Sequence, residues 1–291
     1  MKPAPFDYHR PTSVIEAAGL LHDFGDGGKL IAGGQSLVPM LALRLTRFEH
    51  LVDIGRIDEL RGTERRNGSL LVRAGTPDST IERDAGVAAA VPLLAKVTPL
   101  IGHFQIRNRG TVGGSLAHAD PAAEYPAVAT ALDAEFDVMS TRGERRVAAT
   151  DFFTGLWSTA LEPDEVLTAI RFPVWDGRCG FGVAEFARRH GDFALAGAVA
   201  AVELGPGDTV ARCALALFGL GAIPVRARTA EAAMTGQPAG SLAAEEVGRL
   251  AVGDAGDPPE DLHGSTAYRL RVGAAMAASA WSRALKEAED A

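Results

Sequence analysis

Two short motifs constrain this chain more than anything else in it: Ala32-Gly-Gly-Gln-Ser36 and Thr111-Val-Gly-Gly-Ser115. Each falls where an extended or turning stretch hands over to a more helical one. Paired glycines let backbone N–H groups approach an anion closely, and the flanking Ser and Thr hydroxyls add donors, which is the chemistry of a phosphate-holding concavity. Either motif alone reads more readily as a plain tight turn. Two of them suit a ligand with two phosphoryl groups, and together they bring that reading level with the structural one.

The surrounding pattern reads as α+β. Ser13-Val-Ile-Glu16 has capping-box spacing and predicts a helix over Val14 to Phe24. Lys29 to Ala32 and His50 to Ile54 read as strands on either side of a short helix near Leu37 to Leu45. A middle segment alternates over Ser69 to Ala74, where Asp78 or Ser79 is placed to cap a helix after Gly75-Thr-Pro77. Helical character follows from Val87 to Leu100, and an alanine-rich helix begins after Pro121. Strands are predicted over Ala134 to Thr141, Arg145 to Ala149 and Glu165 to Phe172. In the last segment Phe181 to Ala187, Ala194 to Leu204 and Val210 to Leu220 predict three strands. Three helices should follow near Arg226 to Met234, Leu242 to Val252 and Ser265 to Lys286. Clustered strands with segregated helices define the α+β class, and the breaks suggest units 1–54, 55–175 and 176–291.

Several functions are excluded by what is missing. With 29 basic and 37 acidic residues the chain carries a formal charge of −8, with no basic footprint for nucleic acid. No Gly-x-x-x-x-Gly-Lys-Ser/Thr occurs, so a nucleotide triphosphatase is not expected. Gly219-Leu-Gly221 follows an apolar run, but Pro224 stands where a dinucleotide-binding turn needs its third glycine, so strand end plus turn is the better reading. No Gly-x-Ser-x-Gly and no His-x-x-x-His is present. His118 and Asp120 after the second motif read as a polar wall rather than a ligand pair. Two cysteines, Cys179 and Cys213, are too few for an iron–sulfur or structural zinc site. The opening carries no apolar leader, so a cytoplasmic, reduced protein is expected, with peripheral membrane contact left open. No run is long enough to span a bilayer.

The opening Pro3-APFDYHR-Pro11, the stretch Ile31-AGGQS-Leu37, and above all the run IRNRGTVGGSLAHADP from Ile106 to Pro121 resemble the medium subunit of the molybdenum hydroxylases, the aerobic carbon monoxide dehydrogenase type in particular. FARRHGDFALAG from Phe186 to Gly197 extends the resemblance into the last segment. It implies an FAD-binding fold of the vanillyl-alcohol-oxidase type in two subdomains, followed by a C-terminal α+β domain with a three-stranded antiparallel sheet and helices. It also implies one non-covalent FAD, with molybdopterin on a large partner subunit and [2Fe–2S] clusters on a small one, in a heterotrimer or a dimer of heterotrimers.

By position, the resemblance places Lys29, Leu30, Ile31, Ala32, Gly33, Gly34, Gln35 and Ser36 along the adenosine and pyrophosphate side. Thr111, Gly113, Gly114 and Ser115 would clasp the diphosphate again, and Glu124 would lie near the ribityl and adenine portion. Leu167, Asp192 and Phe193 would approach the isoalloxazine. Phe193 stands where tyrosine is frequent and Gln35 where some members have histidine. Leu167 and Phe193 are equally readable as core, and Asp192 is better read as a turn cap than as a proton donor. A stand-alone FAD-dependent oxidase or dehydrogenase is the alternative, but no proton-abstracting residue can be named for it.

Overall fold

The computed structural model describes residues 2–291. Its first sheet is built from β1 (Asp7–His9), β2 (Gly28–Ile31) and β3 (His50–Asp53), in the order β1-β3-β2 with both pairs parallel. Parallel neighbours need crossovers, which helices α1 (Val14–Phe24) and α2 (Leu37–Ala42) supply. Helix α1 starts where the sequence predicts, with Ser13 Oγ accepting from the Glu16 N–H at 3.2 Å. Only half of the capping box forms, because the Glu16 carboxylate turns to the Thr12 N–H at 2.7 Å. Val14, Ala17, Ala18 and Leu21 recur at helical spacing and pack on Val52, Ile54 and Leu60.

The second sheet is antiparallel. Its strands are β4 (Thr63–Arg66), β5 (Ser69–Arg73), β6 (Glu135–Ser140) and β7 (Gly143–Ala148); after the small hairpin β8 (Phe153–Gly155) and β9 (Ser158–Thr159) comes β10 (Val166–Pro173). The order β4-β5-β10-β6-β7 puts β10 at the centre. Between β5 and β6 run α3 (Asp78–Arg83), α4 (Ala85–Ala90), α5 (Pro92–Val97), α6 (Phe104–Arg107), α7 (Val112–His118) and α8 (Glu124–Ala131); α9 (Ala149–Phe152) follows β7. Their apolar faces share one large core with the sheet, where Phe136 and Phe152 stack at 3.7 Å. Helix α3 departs from expectation: Pro77 precedes it with no side-chain cap, and Asp78 is a buried residue inside the first turn.

The C-terminal sheet has four strands, correcting the three read from sequence: β11 (Arg178–Phe186), β12 (Ala196–Leu204), β13 (Val210–Phe218) and β14 (Val225–Arg226). The two-residue β14 has too short a pattern to register as alternation. Helices α10 (Arg228–Met234), α11 (Ala244–Gly253) and the 25-residue α12 (Thr266–Asp290) follow. Helix α12 lies unusually close to β11, because a Cβ on Gly182 would stand 1.9 Å from the Ala280 carbonyl oxygen. Small residues Ala277, Ala280, Ala284 and Ala288 form its buried face. No helix among the described residues is long and apolar enough to cross a membrane.

Candidate functional site

The two glycine motifs meet in space. A Cβ built on Gly33 would stand 2.1 Å from the Arg109 carbonyl oxygen and 2.9 Å from Gly110 Cα. One built on Gly114 would lie 3.8 Å from the Ala32 side chain. The chain between β2 and α2 is thus pressed against the chain entering α7, with no room for a side chain at Gly33.

The motifs differ in what they offer. From Gly33 through Leu37 no backbone N–H donates to an acceptor among the described residues, although these residues are half-buried. Gly34, with φ 72°, turns this run, and the Gln35 side chain folds back to the Gly33 carbonyl at 3.1 Å. A continuous run of unpaired amides at a helix start is a cradle for anionic oxygens.

The second motif is not a loop. It is the first turn of α7, and its amides are already engaged: Val112 with the Thr76 carbonyl, Gly113 with Ala74 at 2.8 Å, and Ser115 with Thr111. Gly114 donates to the capping Thr111 Oγ1 at 3.1 Å. Gly113 is glycine for packing, since a Cβ would come 2.4 Å from that of Ala74. The expectation of two equivalent nests is therefore corrected: one cradle is open, and the other motif braces it.

Among the remaining residues singled out by sequence, Lys29 is exposed with its Nζ 5.7 Å from the Phe48 ring centroid, and Leu30, Ile31 and Ala32 are half-buried below the cradle. Lys29 also lies near enough to His118 to help lower that imidazole's pKa, although burial is the main cause. Asp120 forms a local turn, accepting from the Ala122 N–H at 2.9 Å and from Trp157 Nε1 at 3.3 Å. Leu167, only 4% exposed, is a core side chain.

Phe193 is the reverse. It is 66% exposed, so the core reading fails and its ring is free to meet a ligand. It sits on the connection between β11 and β12, where Asp192 pairs with Arg188 at 3.7 Å. That connection touches the segment leading to α6, because a Cβ on Gly191 would contact the His103 ring at 3.0 Å.

Glu124 opens α8 and is buried; burial first, and the nearby Glu185 second, push its carboxyl up to about 8. Asp78 is pushed up to about 7 by burial against the opposing pull of Arg107, and Glu185 to about 7 by burial. Asp78 Oδ1 and Glu185 Oε2 are buried without a protein partner. Asp78 lies against Gly110, beside the segment that Gly33 touches, and burial favours the protonated form of all three carboxyls. Arg107 was missed by sequence reasoning. Its guanidinium pairs with Glu82 at 2.9 and 3.0 Å and donates to the carbonyls of Ile101 and Gly102, fixing the turn before His103. Nothing but its place in a charged run marked it.

An anion cradle at the edge of a small parallel sheet, braced by a helix that packs on a larger antiparallel one, defines a protein that holds a phosphate-bearing ligand. Residues 4–175 match the family "FAD binding domain in molybdopterin dehydrogenase", and residues 182–284 match "CO dehydrogenase flavoprotein C-terminal domain". The carbon monoxide dehydrogenase medium chain of Hydrogenophaga pseudoflava is 37% identical, over 97% of this chain and 99% of its own. The caffeine dehydrogenase subunit beta of a Pseudomonas species is 37% identical, over 98% of this chain and 96% of its own. A solved Cu,Mo-CO dehydrogenase chain superposes with a TM-score of 0.95 at 33% identity, covering 99% of this chain and all of that one. The chain belongs to the FAD-binding medium subunits of the multi-subunit molybdenum hydroxylases. It is an oxidoreductase component whose cofactor is FAD, and in homologous complexes the molybdenum and iron–sulfur centres belong to other subunits.

Proposed function

We propose that this chain receives electrons from [2Fe–2S] clusters on a small partner subunit and passes them through non-covalently held FAD to an external acceptor. The observation that carries the reading is the run of unpaired amides from Gly33 to Leu37, braced by α7. Bound FAD supplies the uptake and onward release of two electrons. The chain's own residues bind, orient and shield it.

The amides of Gly33, Gly34, Gln35 and Ser36 hold the pyrophosphate, with Lys29, Leu30, Ile31 and Ala32 along the adenosine side. Thr111, Gly113, Gly114 and Ser115 close the cradle from α7, chiefly through the Thr111 and Ser115 hydroxyls, because the amides of Gly113, Gly114 and Ser115 are engaged. Glu124, neutral when buried, donates a hydrogen bond to a ribityl or ribose hydroxyl. Asp192 and Phe193 approach the isoalloxazine from the C-terminal unit, with Leu167 supporting from the core. Units 1–54 and 55–175 share the cofactor, and unit 176–291 supplies the covering edge. The assembly is a heterotrimer with a large molybdopterin-binding and a small iron–sulfur subunit, or a dimer of such trimers. We place it in the cytoplasm, with any membrane contact made through the complex.

The test is purification of the chain alone and with its two partner subunits. Alone, it should carry FAD that denaturation releases, exchange electrons with dyes, and oxidise no substrate of the assembled enzyme. The full complex should restore substrate-dependent dye reduction. Rapid substrate turnover by the isolated, metal-free chain would make it a stand-alone flavin enzyme, and FMN in place of FAD would remove the case for the cradle.

A further inference from the structure

Arg269 breaks three local rules at once. It is a charged residue only 5% exposed, it stands near the start of α12 where the helix dipole disfavours a cation, and its Nε is buried without a hydrogen-bond partner among the described residues. Its partners lie outside its own helix. Nη1 donates to the Leu195 carbonyl at 2.9 Å and to the Gly219 carbonyl at 3.4 Å, and Nη2 to Asp261 Oδ2 at 2.7 Å. Leu195 precedes β12 and Gly219 follows β13, just past the ladder pair of Gly197 with Phe218. The two strand ends are in contact there: Gly219 has φ 76°, and a Cβ on it would stand 3.0 Å from the Leu195 carbonyl oxygen. The planar fork of the guanidinium thus closes the open end of the β12–β13 pair.

Both halves of that contact lead to the site. Leu195 follows closely after Phe193, and its own amide donates to the Phe186 carbonyl at 2.8 Å, which closes the connection that carries Asp192 and Phe193. Farther back, the same connection rests on His103 through Gly191. Gly219 donates to the Pro121 carbonyl at 2.7 Å, just ahead of α8, which opens with Glu124. An exposed ring such as Phe193 has little packing of its own to hold it, so its place is set by the backbone beneath it. We infer that Arg269 is a positioning residue for the flavin ring, fixing the Phe193 connection at one spacing from the start of α8. It touches no ligand itself. The inference rests on the proposed function, which sets the isoalloxazine beside Phe193. Fold stability alone does not call for this side chain, since a well-packed apolar residue often serves stability as well as a buried ion pair does.

The experiment uses the full chain coexpressed with both partner subunits and compares wild type with Arg269→Met, Arg269→Lys, Phe193→Ala and Trp281→Leu. Trp281 is the control: it is buried on the same helix, but beside Val210 and Met234, at the opposite end of β13. Flavin absorbance maxima, flavin midpoint potential, melting temperature and hydrogen exchange are measured for each. We expect Arg269→Met to keep its FAD, to shift the flavin maxima and potential in the same sense as Phe193→Ala, and to raise exchange at 187–195. Arg269→Lys keeps the charge but lacks the fork, and should give a smaller shift. Trp281→Leu should lower the melting temperature and leave the flavin signals at wild-type values. Wild-type flavin signals in Arg269→Met beside shifted ones in Phe193→Ala overturn the inference and leave the proposed function standing. So do equal shifts in Trp281→Leu, which would report a general loosening. Wild-type flavin signals in Phe193→Ala remove the placing of the ring, and the inference with it. Should Arg269→Met fail to fold or to hold FAD, Gly219→Ala decides, because its Cβ presses on the Leu195 carbonyl. Folded Gly219→Ala with unshifted flavin signals overturns the inference.

Discussion

Gly33 and Arg109 touch through backbone alone: the space a Gly33 side chain would take is filled by the Arg109 carbonyl, 2.1 Å from the would-be Cβ. The contact joins the open cradle to its brace, so a methyl group there must separate them. Gly33→Ala should therefore lower FAD affinity at least tenfold while far-ultraviolet circular dichroism stays native. Gly33→Val should do the same at a larger cost in melting temperature. Gly221→Ala is the contrast, since its Cβ would meet nothing nearer than 3.3 Å, and flavin content should stay at the wild-type value.

The Arg107–Glu82 pair predicts a stability effect with a local signature. Removing Arg107 leaves the half-buried Glu82 charge and several carbonyl acceptors without their donor. Arg107→Leu should cost about 2 kcal/mol in urea unfolding. Because Arg107 also ties down the Ile101 and Gly102 carbonyls, hydrogen exchange should rise at 99–103 and at 187–193, which leans on His103. A uniform rise across the whole chain would contradict the local role.

Asp78, Glu124 and Glu185 set a pH dependence. Their folded values of about 7, 8 and 7 lie above the ordinary 3.8, 4.5 and 4.5, so the native state holds these protons longer than the unfolded chain does. Their contribution is fully present below about pH 4 and is lost as pH rises towards 8, at about 1.4 kcal/mol per pH unit for each group. Melting temperature should fall between about pH 4 and pH 8, the window set by those values. Glu124→Gln should flatten that slope, and an unchanged slope would show that Glu124 does not hold its proton.

Phe193 separates flavin contact from stability. An exposed ring contributes little to the fold, so Phe193→Ala should change unfolding free energy by less than about 0.5 kcal/mol. It should nonetheless shift the flavin absorbance maxima or weaken FAD binding. An identical flavin spectrum and affinity would detach this residue from the site.

The sequence signals that proved legible are those with local physical causes. Ser13 ahead of an apolar stripe located α1, and Pro121 with its alanines located α8. Alternation located β5, and the apolar runs bounded by turns located β6, β10 and the three main C-terminal strands. What stayed hidden depends on distant partners. Gly113 and Gly33 look alike in sequence, yet one packs on Ala74 and the other on Arg109, and only the fold decides which amides remain free. Likewise Asp78 reads as a cap because Asp before a helix usually is one, whereas the segment around Gly110 closes over it. Phe193 could not be assigned inside or outside, since a single aromatic in a charged loop carries no periodicity.

Strand β11 pairs on one side only, and Arg283 on α12 donates to the Val183 carbonyl. An unpaired strand invites other chains to add to the sheet, and the usual end of that path is aggregation. Here a guanidinium occupies an acceptor that an incoming strand would need, on a strand already overlain by a long helix. With that acceptor taken and a helix laid over the strand, a stray chain finds fewer free groups along this edge, which disfavours extension of the sheet from one molecule to the next.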